Sequence, residues 1–289
     1  LMPDSQPFVQ NQDSLRFDGG LIFEQPLNDT LNLNVRSSLM QQEHEHQYGS
    51  VIEDDKHNSY LVESSVTGFT NKTAWIVGVA YQQEQFESEQ YNEFDYKFEV
   101  PGLFSQLDYD ATDELALSLS ARTDWHSEYG TQFSPRVSAL YKPENWSVRG
   151  SFGKGYYAPT PFIEDIEDAG LSRLAPLDNL EEETATTASV DFSYTVDSIE
   201  TSLTLFASDI DNVTELEEMN CIGCDKTVRI VNAAGQSEIR GAELLLRFRW
   251  HDIKFTTSYL YTDASTQDDT TGSFSPIALT PRHSAGAVI

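Results

Sequence analysis

Apolar and polar residues alternate along most of this chain with a period of two. In the segment TLNLNVRSSL, the leucines and the valine fall on one face of an extended strand, and most of the polar residues fall on the other. The segments ELALSLSARTDW, GAELLLRFRW and IKFTTSYLY follow the same pattern. No segment shows a convincing helical period. The pattern therefore predicts an all-β protein made of antiparallel strands, each apolar on one face.

Turn residues divide these alternating segments into about thirteen strands that follow one another in an up-and-down meander. The strands are expected near residues 14–23, 29–41, 57–68, 74–87, 99–109, 114–127, 132–142, 146–156, 183–194, 199–211, 226–249, 253–264 and 279–289. Several of them are longer than the roughly 9–11 residues that a tilted strand needs to cross a bilayer. We expect those strands to project beyond a membrane.

The connections between the strands alternate between tight and long. Tight turns are expected at residues 24–28, 70–72, 110–113, 142–145, 195–198 and 251–252. Long polar loops are expected at residues 42–56, 88–98, 158–182, 212–225 and 265–275, and one connection of this second kind, at 128–131, is short. Alternate connections of a meander lie at opposite ends. Short turns at one end and long loops at the other are typical of an outer-membrane β-barrel.

An aromatic residue stands immediately before each of the six tight turns. These residues are Phe23, Phe69, Tyr109, Tyr141, Tyr194 and Trp250. Amphipathic aromatic side chains favour the headgroup layer of a membrane, and transmembrane barrels carry girdles of them at both interfaces. The aromatics favour a transmembrane barrel over a soluble β-sandwich, which would show the same alternation.

Composition narrows the range of partners. The 289 residues include 47 Asp and Glu against 18 Lys and Arg, a formal net charge of −29. Because phosphate binding needs a basic surface, we expect no nucleic-acid partner. Both ends of the sequence look cut, and an odd strand number does not close a bacterial barrel. We therefore expect residues 1–289 to be a partial barrel domain.

Four short motifs in the second half resemble those of TonB-dependent outer-membrane receptors. The first is FSPRVSALYKPENWSVRGSFGKGYYAPTP, where a Ser-Pro-Arg strand and a short turn lead to Gly-x-Gly, an aromatic residue and Ala-Pro-Thr. The second is NLEEETATTASVDFSY, and the third is VNAAGQSEIRGAELLLRF, with Asn232, Gly241 and Glu243. The fourth is ALTPRHSAGAVI, with Pro281 and His283. They occur in family order over about 132–289.

The resemblance implies a 22-stranded antiparallel barrel in the outer membrane of a Gram-negative bacterium, of which this chain would be about strands 6 to 18. An N-terminal plug domain would lie outside the chain. The family imports a scarce ligand with energy delivered by the TonB complex, and a ferric siderophore is the expected ligand. Outer-membrane lipid and lipopolysaccharide would surround the barrel. A passive porin-like channel or a barrel adhesin without a plug is the alternative.

Candidate ligand contacts come from side chains in or beside the long loops and near the rim. They are Tyr48, Tyr91, Tyr96, Arg122, His126, Tyr156, Tyr157 and Phe162. Arg122, Asp124 and His126 alternate on one face, where they either contact a ligand or form a charge network along the barrel interior. No nucleophile, base and orienting acid converge in the pattern, so we do not expect an enzyme.

The remaining candidate chemistry concerns metals and cysteines. His44 and His46 are weak candidates for a Zn, Ni or Cu contact, and the alternative is solvated loop histidines. The acidic loops either hold Ca²⁺ or form a solvated surface. We expect no other cofactor. Cys221 and Cys224 have the spacing of a redox or zinc motif, but without a second pair a local disulfide is the preferred interpretation.

Overall fold

A computed structural model of the chain describes residues 9–162, 171–219, 228–268 and 271–289. Their strands are β1 (Gln10–Asn28), β2 (Leu31–Tyr48), β3 (Val51–Phe69), β4 (Thr73–Ser88), β5 (Tyr96–Asp110), β6 (Leu115–His126), β7 (Gly130–Tyr141), β8 (Trp146–Tyr157), β9 (Glu183–Val196), β10 (Ile199–Asp211), β11 (Thr214–Glu218), β12 (Val228–Asn232), β13 (Ser237–Trp250), β14 (Ile253–Gln267), β15 (Phe274–Pro276) and β16 (His283–Val288). Two 3₁₀ helices span Asn92–Phe94 and Leu171–Arg173. None of the described helices is long and apolar enough to cross a membrane.

Fourteen of the strands form one antiparallel sheet in up-and-down order, which confirms the predicted fold class. Each strand from β1 to β10 pairs with the next along the chain, β10 pairs with β13, and β13 pairs with β14. Both β15 and β16 pair with β14. The short strands β11 and β12 form a separate hairpin between β10 and β13. Within the described residues the sheet is an open arc, because β1 does not pair with the last strands.

The two faces of the sheet differ as the period of two predicts. In β6, Leu117, Leu119 and Trp125 are 42–58% exposed on the apolar face. Asp124 and His126 on the opposite face are only 3% and 6% exposed. We call the face of Asp124 and His126 the inner face, and the apolar face the outer face. A barrel in a membrane turns its apolar face to lipid and its polar face to the lumen.

Two predicted boundaries in the first half are wrong. The turn predicted at 24–28 is part of β1, and the chain turns at residues 29–30 instead. Proline suggested a turn, but Pro26 pairs with Asn32 near the end of β1, beside a register shift that accommodates a residue without an N–H group. The loop predicted at 42–56 is a hairpin, in which β2 and β3 remain paired from Tyr48 opposite Val51 onwards.

Two predictions in the second half also need correction. The single strand predicted at 226–249 is divided into β12 and β13, and β12 leaves the main sheet to pair with β11 inside the loop predicted at 212–225. The strand predicted at 279–289 is shorter, and the sheet gains β15 beside it. Such short strands carry too few alternating residues to be separated from loops by pattern alone.

Three of the long connections pack together at one end of the sheet. A cluster of buried apolar side chains joins them, and we call it the apical cluster: Phe86, Phe94, Leu171, Leu174, Val228 and Ile230. A parallel bridge between Leu174 and Val228 and a hydrogen bond from Ala175 N to Val228 O (2.8 Å) connect two of these segments. The apical cluster therefore forms a small core at the loop-rich end.

Candidate functional site

The inner face carries a cavity of about 270 Å³ directly beside the apical cluster. Strands β1 to β5 form its wall, and Thr160, Phe162 and Leu171 from the connection that follows β8 cover it. We call this cavity the inner-wall pocket. Its lining residues are Gln12, His44, His46, Tyr48, Glu53, Asp55, His57, Glu84, Phe86, Tyr96, Thr160, Phe162 and Leu171.

Histidines and carboxylates alternate in register across the wall of this pocket. His44 lies opposite Asp55, and His46 lies opposite Glu53. His44 Nδ1 is 2.8 Å from Asp55 Oδ1, and His57 Nε2 is 3.2 Å from Glu84 Oε1. The Nε2 atom of His46 is buried and has no hydrogen-bond partner among the described residues. The pocket thus combines paired imidazoles with one buried ring nitrogen that has no partner among the described residues.

A continuous series of aromatic rings extends from the pocket along the inner face. Phe162 packs edge-on against Phe86 with ring centroids 4.5 Å apart, and Tyr96 stacks on Phe98 at 4.6 Å. Phe98 in turn lies 4.8 Å from the His126 ring. The sheet determines this order, because alternate residues of one strand lie beside alternate residues of the next strand on the same face. The resulting surface suits the flat or apolar parts of a small molecule.

The cover of the pocket is tied to the wall by a buried carboxylate. Glu53, which is 4% exposed, accepts hydrogen bonds from the backbone N–H groups of Leu171 (3.2 Å) and Ser172 (3.1 Å). A carboxylate that accepts two backbone N–H groups makes charge-assisted hydrogen bonds, which are about twice as strong as neutral ones. The 3₁₀ helix over the pocket is therefore fixed to the β2–β3 hairpin, although over a hundred residues separate them in sequence.

A second tie joins the start of the same connection to the β6–β7 turn. The hydroxyl of Tyr129 donates a hydrogen bond of 2.8 Å to the Pro159 carbonyl oxygen, and Gln132 Nε2 donates to Tyr129 O and to Glu182 Oε1. Burial, with a contribution from Glu128, raises the pKa of Tyr129 to about 12. The phenol therefore remains a donor throughout the physiological pH range.

We expect Tyr129→Phe to weaken this tie by about 0.5–1.5 kcal/mol, the usual contribution of one hydrogen bond. A raised pKa means that the folded protein holds the phenol proton more tightly than the unfolded chain does. The tie is therefore complete below pH 10 and is lost as the pH rises towards 12. At pH 8, amide hydrogen exchange at Tyr157, Ala158, Thr160 and Phe162 should be faster in the variant than in the wild type.

Tyr60→Phe is the matched control, because Tyr60 lies on the outer face of β3 and is 37% exposed. It should leave exchange in residues 157–162 unchanged. If Tyr129→Phe behaves in the same way, the hydrogen bond to Pro159 does not hold the connection.

The structure brings several of the predicted ligand contacts together and separates others. Tyr48, Tyr96 and Phe162 line the inner-wall pocket together with His44 and His46, and His126 lies at the far end of the aromatic series. Whether any of them contacts a ligand remains a prediction. Sequence reasoning left Glu84, Phe86 and Phe98 out of its candidates, although their alternation with outward residues on β4 and β5 could have identified them.

The other predicted contacts lie outside the pocket. Arg122 is paired with Asp124, with Nη2 and Oδ1 2.7 Å apart, as expected for a charge network along the inner face. Tyr91 packs against the apical cluster, and burial together with the nearby Glu53 raises its pKa. Tyr156 and Tyr157 end β8, opposite Thr184 and Glu183 of β9.

The metal, calcium and cysteine predictions remain untested. The described residues contain no group of three or more His, Cys, Asp or Glu side chains placed to hold a metal ion. Cys221 and Cys224 lie outside the described residues, as do Glu164 to Asp168. The acidic side chains that are described near the same loop make protein contacts: Glu181 accepts from Asn212 (3.1 Å), and Glu183 accepts from the Thr214 N–H (2.8 Å).

Five of the six predicted girdle aromatics lie within two residues of a strand end and are partly exposed. They are Phe69, Tyr109, Tyr141, Tyr194 and Trp250, with 37–60% exposure. Phe23 is also exposed, but β1 continues five residues beyond it. Its predicted position before a turn is wrong for the reason given for Pro26. The interfacial role of the six remains a prediction.

A larger apolar groove of about 860 Å³ lies on the outer face, between the same strands that carry three of these aromatics. Leu107, Leu117, Val137 and Phe152 are among the residues that line it. It offers almost no polar group to orient a ligand, and the outer face of a barrel is covered by lipid acyl chains. The inner-wall pocket is therefore the better candidate for a binding site.

Comparisons with known proteins agree with this architecture. The profile of a family described as TonB dependent receptor-like, beta-barrel, matches residues 3–288. The iron-regulated outer membrane virulence protein of Vibrio cholerae is 24% identical over 229 residues, which are 71% of this chain and 34% of that protein. This chain thus spans about a third of the length of that relative.

Solved structures of outer-membrane receptors share the fold at low sequence identity. A mutant of the ferric enterobactin receptor PfeA of Pseudomonas aeruginosa matches with a TM-score of 0.78 and 13% identity, over 96% of this chain and 47% of that one. The copper transporter OprC matches with a TM-score of 0.75 and 12% identity, over 95% of this chain and 50% of that one. At these identities the likeness shows the fold alone.

Proposed function

The chain belongs to the TonB-dependent receptor β-barrel family, and from this premise we propose that the protein containing it binds a scarce extracellular ligand and imports it into the periplasm. The family and the Vibrio relative place the chain in the outer membrane of a Gram-negative bacterium. The family and its structural neighbours are receptors and transporters rather than enzymes. A ferric siderophore is the proposed ligand, and the TonB complex is the proposed source of energy.

The inner-wall pocket is the observation that supports this proposal best. It lies at the loop-rich end of the sheet, which is the extracellular end in outer-membrane barrels. It is lined by aromatic rings and a few polar groups, a combination typical of small-molecule sites. Its cover is fixed to the wall by Glu53 and Tyr129, so this part of the vestibule is built before a ligand arrives.

In this mechanism the wall and the covering loop contact the ligand from the barrel side. The plug, which would come from outside this chain, would contact it from below and would move when TonB acts. Strand pairing satisfies the backbone N–H and C=O groups of the wall. The wall can therefore stay rigid while the plug is remodelled.

We expect uptake of the ferric siderophore to depend on both the receptor and TonB. Deletion of the receptor gene in an iron-limited strain should reduce uptake of the radiolabelled ferric chelate to the background level, and complementation should restore it. A strain that keeps the receptor but lacks TonB should show the same loss.

The TonB-deficient strain also tests the alternative of a passive channel or adhesin. A channel would continue to admit its solute without TonB, and an adhesin would leave uptake unchanged on deletion. Either result would contradict the proposed energised import.

A further inference from the structure

The charges of the inner-wall pocket restrict the class of ligand that it can take. We propose that this pocket receives part of a metal chelate of neutral or positive net charge and disfavours chelates with several negative charges. The inference rests on the proposed function, because it names the substrate class for the same site. A cavity of about 270 Å³ is slightly below the usual range for whole small molecules, so it holds part of a chelate.

Among the described residues, carboxylates line the pocket, and no lysine or arginine does. Glu53, Asp55 and Glu84 line it, and the basic residues on the neighbouring parts of β3 and β5 lie on the opposite face. Lys56 alternates with Asp55 and His57 and lies 3.4 Å from Glu43. Lys97 alternates with Tyr96 and Phe98 and lies 3.0 Å from Glu99.

The inward-facing arginines of β1, β2 and β6 are already paired with carboxylates. Arg16 contacts Asp18 at 2.8 Å, Arg36 contacts Glu63, and Arg122 contacts Asp124. A chelate with several negative charges would therefore meet carboxylates without a free basic partner on this part of the wall. Like charges in a partly enclosed pocket repel more strongly than they do in water.

The histidines do not change the conclusion that carboxylates dominate the charge of this pocket. His44 and His57 are hydrogen-bonded to Asp55 and Glu84, so each ring is directed at a carboxylate of the wall. These contacts also engage ring nitrogens that would otherwise compete with the donor atoms of a chelator. The aromatic faces of Phe86, Tyr96 and Phe162 favour an apolar or cationic surface.

The test compares two ferric chelates on the complete receptor in detergent, by titration calorimetry. One is a neutral tris-hydroxamate, and the other is a tris-catecholate with a charge of −3. We expect the neutral chelate to bind at least about tenfold more tightly. Tighter binding of the tris-catecholate overturns the inference and leaves the proposed function standing. If neither chelate binds, the inference also fails, and the uptake experiment above decides the proposed function separately.

Glu84→Gln and Glu87→Gln form a matched pair of variants on β4. Glu84 faces the pocket, and Glu87 faces outward, beside Gln85. Glu84→Gln should raise the affinity for the tris-catecholate several-fold and change that for the neutral chelate less than twofold. Glu87→Gln should change neither affinity. Equal effects of the two variants, or weaker tris-catecholate binding to Glu84→Gln, would contradict the inference. An unchanged thermal transition confirms that both variants fold.

Discussion

Replacement of Gly241 by valine is expected to lower the Tm of the receptor in detergent by about 2–5 °C. Gly241 lies opposite Phe206 in the β10–β13 ladder. A Cβ atom there would collide with the Phe206 ring and would lie 2.5 Å from the carbonyl oxygen of Tyr261. The ring can turn, but the carbonyl belongs to the β13–β14 ladder. We therefore expect the substitution to lower the free energy of unfolding by about 3 kcal/mol, which is the upper end of the usual cost of overpacking.

Gly150→Val is the matched control for this prediction. Gly150 lies in β8 on the outer face, and a Cβ atom there would meet nothing within 4 Å. Since valine favours strands, the control should leave the Tm unchanged or raise it slightly. The comparison is made by circular dichroism at 218 nm during heating. Equal values of Tm for the two variants would show that the contact with Phe206 and Tyr261 does not constrain the sheet.

Replacement of Leu174 by alanine should detach the covering loop while leaving the barrel wall folded. Leu174 is fully buried in the apical cluster, and removal of such a side chain typically costs about 2–5 kcal/mol. The cost falls on the loop, because the strands keep their own hydrogen bonds. Amide hydrogen exchange at Leu174 and Ala175 should accelerate by about 30-fold or more. A loss of about 2 kcal/mol shifts the local opening equilibrium by that factor, because each 1.4 kcal/mol changes an equilibrium constant tenfold.

Leu279→Ala provides the control with the same chemical change. Leu279 is fully exposed, so its truncation creates no cavity, and exchange at Leu174 and Ala175 should stay as in the wild type. Unchanged exchange in Leu174→Ala would mean that the apical cluster does not hold the connections together. A fall in the overall Tm comparable to that of Gly241→Val would mean that the apical cluster also supports the barrel wall.

The membrane part of the fold was predictable because the bilayer imposes a simple pattern. Outward residues such as Leu117 and Leu119 are apolar, inward ones such as Ser118 and Ser120 are polar, and short turns separate the strands. Five of the six tight turns were predicted within a residue or two. Pro26 caused the one error, because proline is compatible with a strand at a register irregularity as well as with a turn.

The loop-rich end was not predictable in the same way. The β2–β3 hairpin from Gln42 to Lys56 is polar on both faces, so no apolar alternation marks it, and only backbone pairing shows that it is a sheet. The apical cluster depends on contacts such as that between Leu174 and Val228, which are distant in sequence. Sequence reasoning could select Tyr48, Tyr96 and Phe162 as loop aromatics, but not the cover that places Phe162 over Phe86.

The unequal lengths of the strands give the cell surface an uneven profile around this receptor. Strands β2 and β3 have 18 and 19 residues, whereas β6, β7 and β8 have 12 each. At about 3.3 Å per residue and a tilt of about 45°, the long pair reaches a height of roughly 40 Å and the short strands roughly 28 Å. We expect an antibody or a phage tail fibre to reach the Gly49 turn before the ends of β6, β7 and β8.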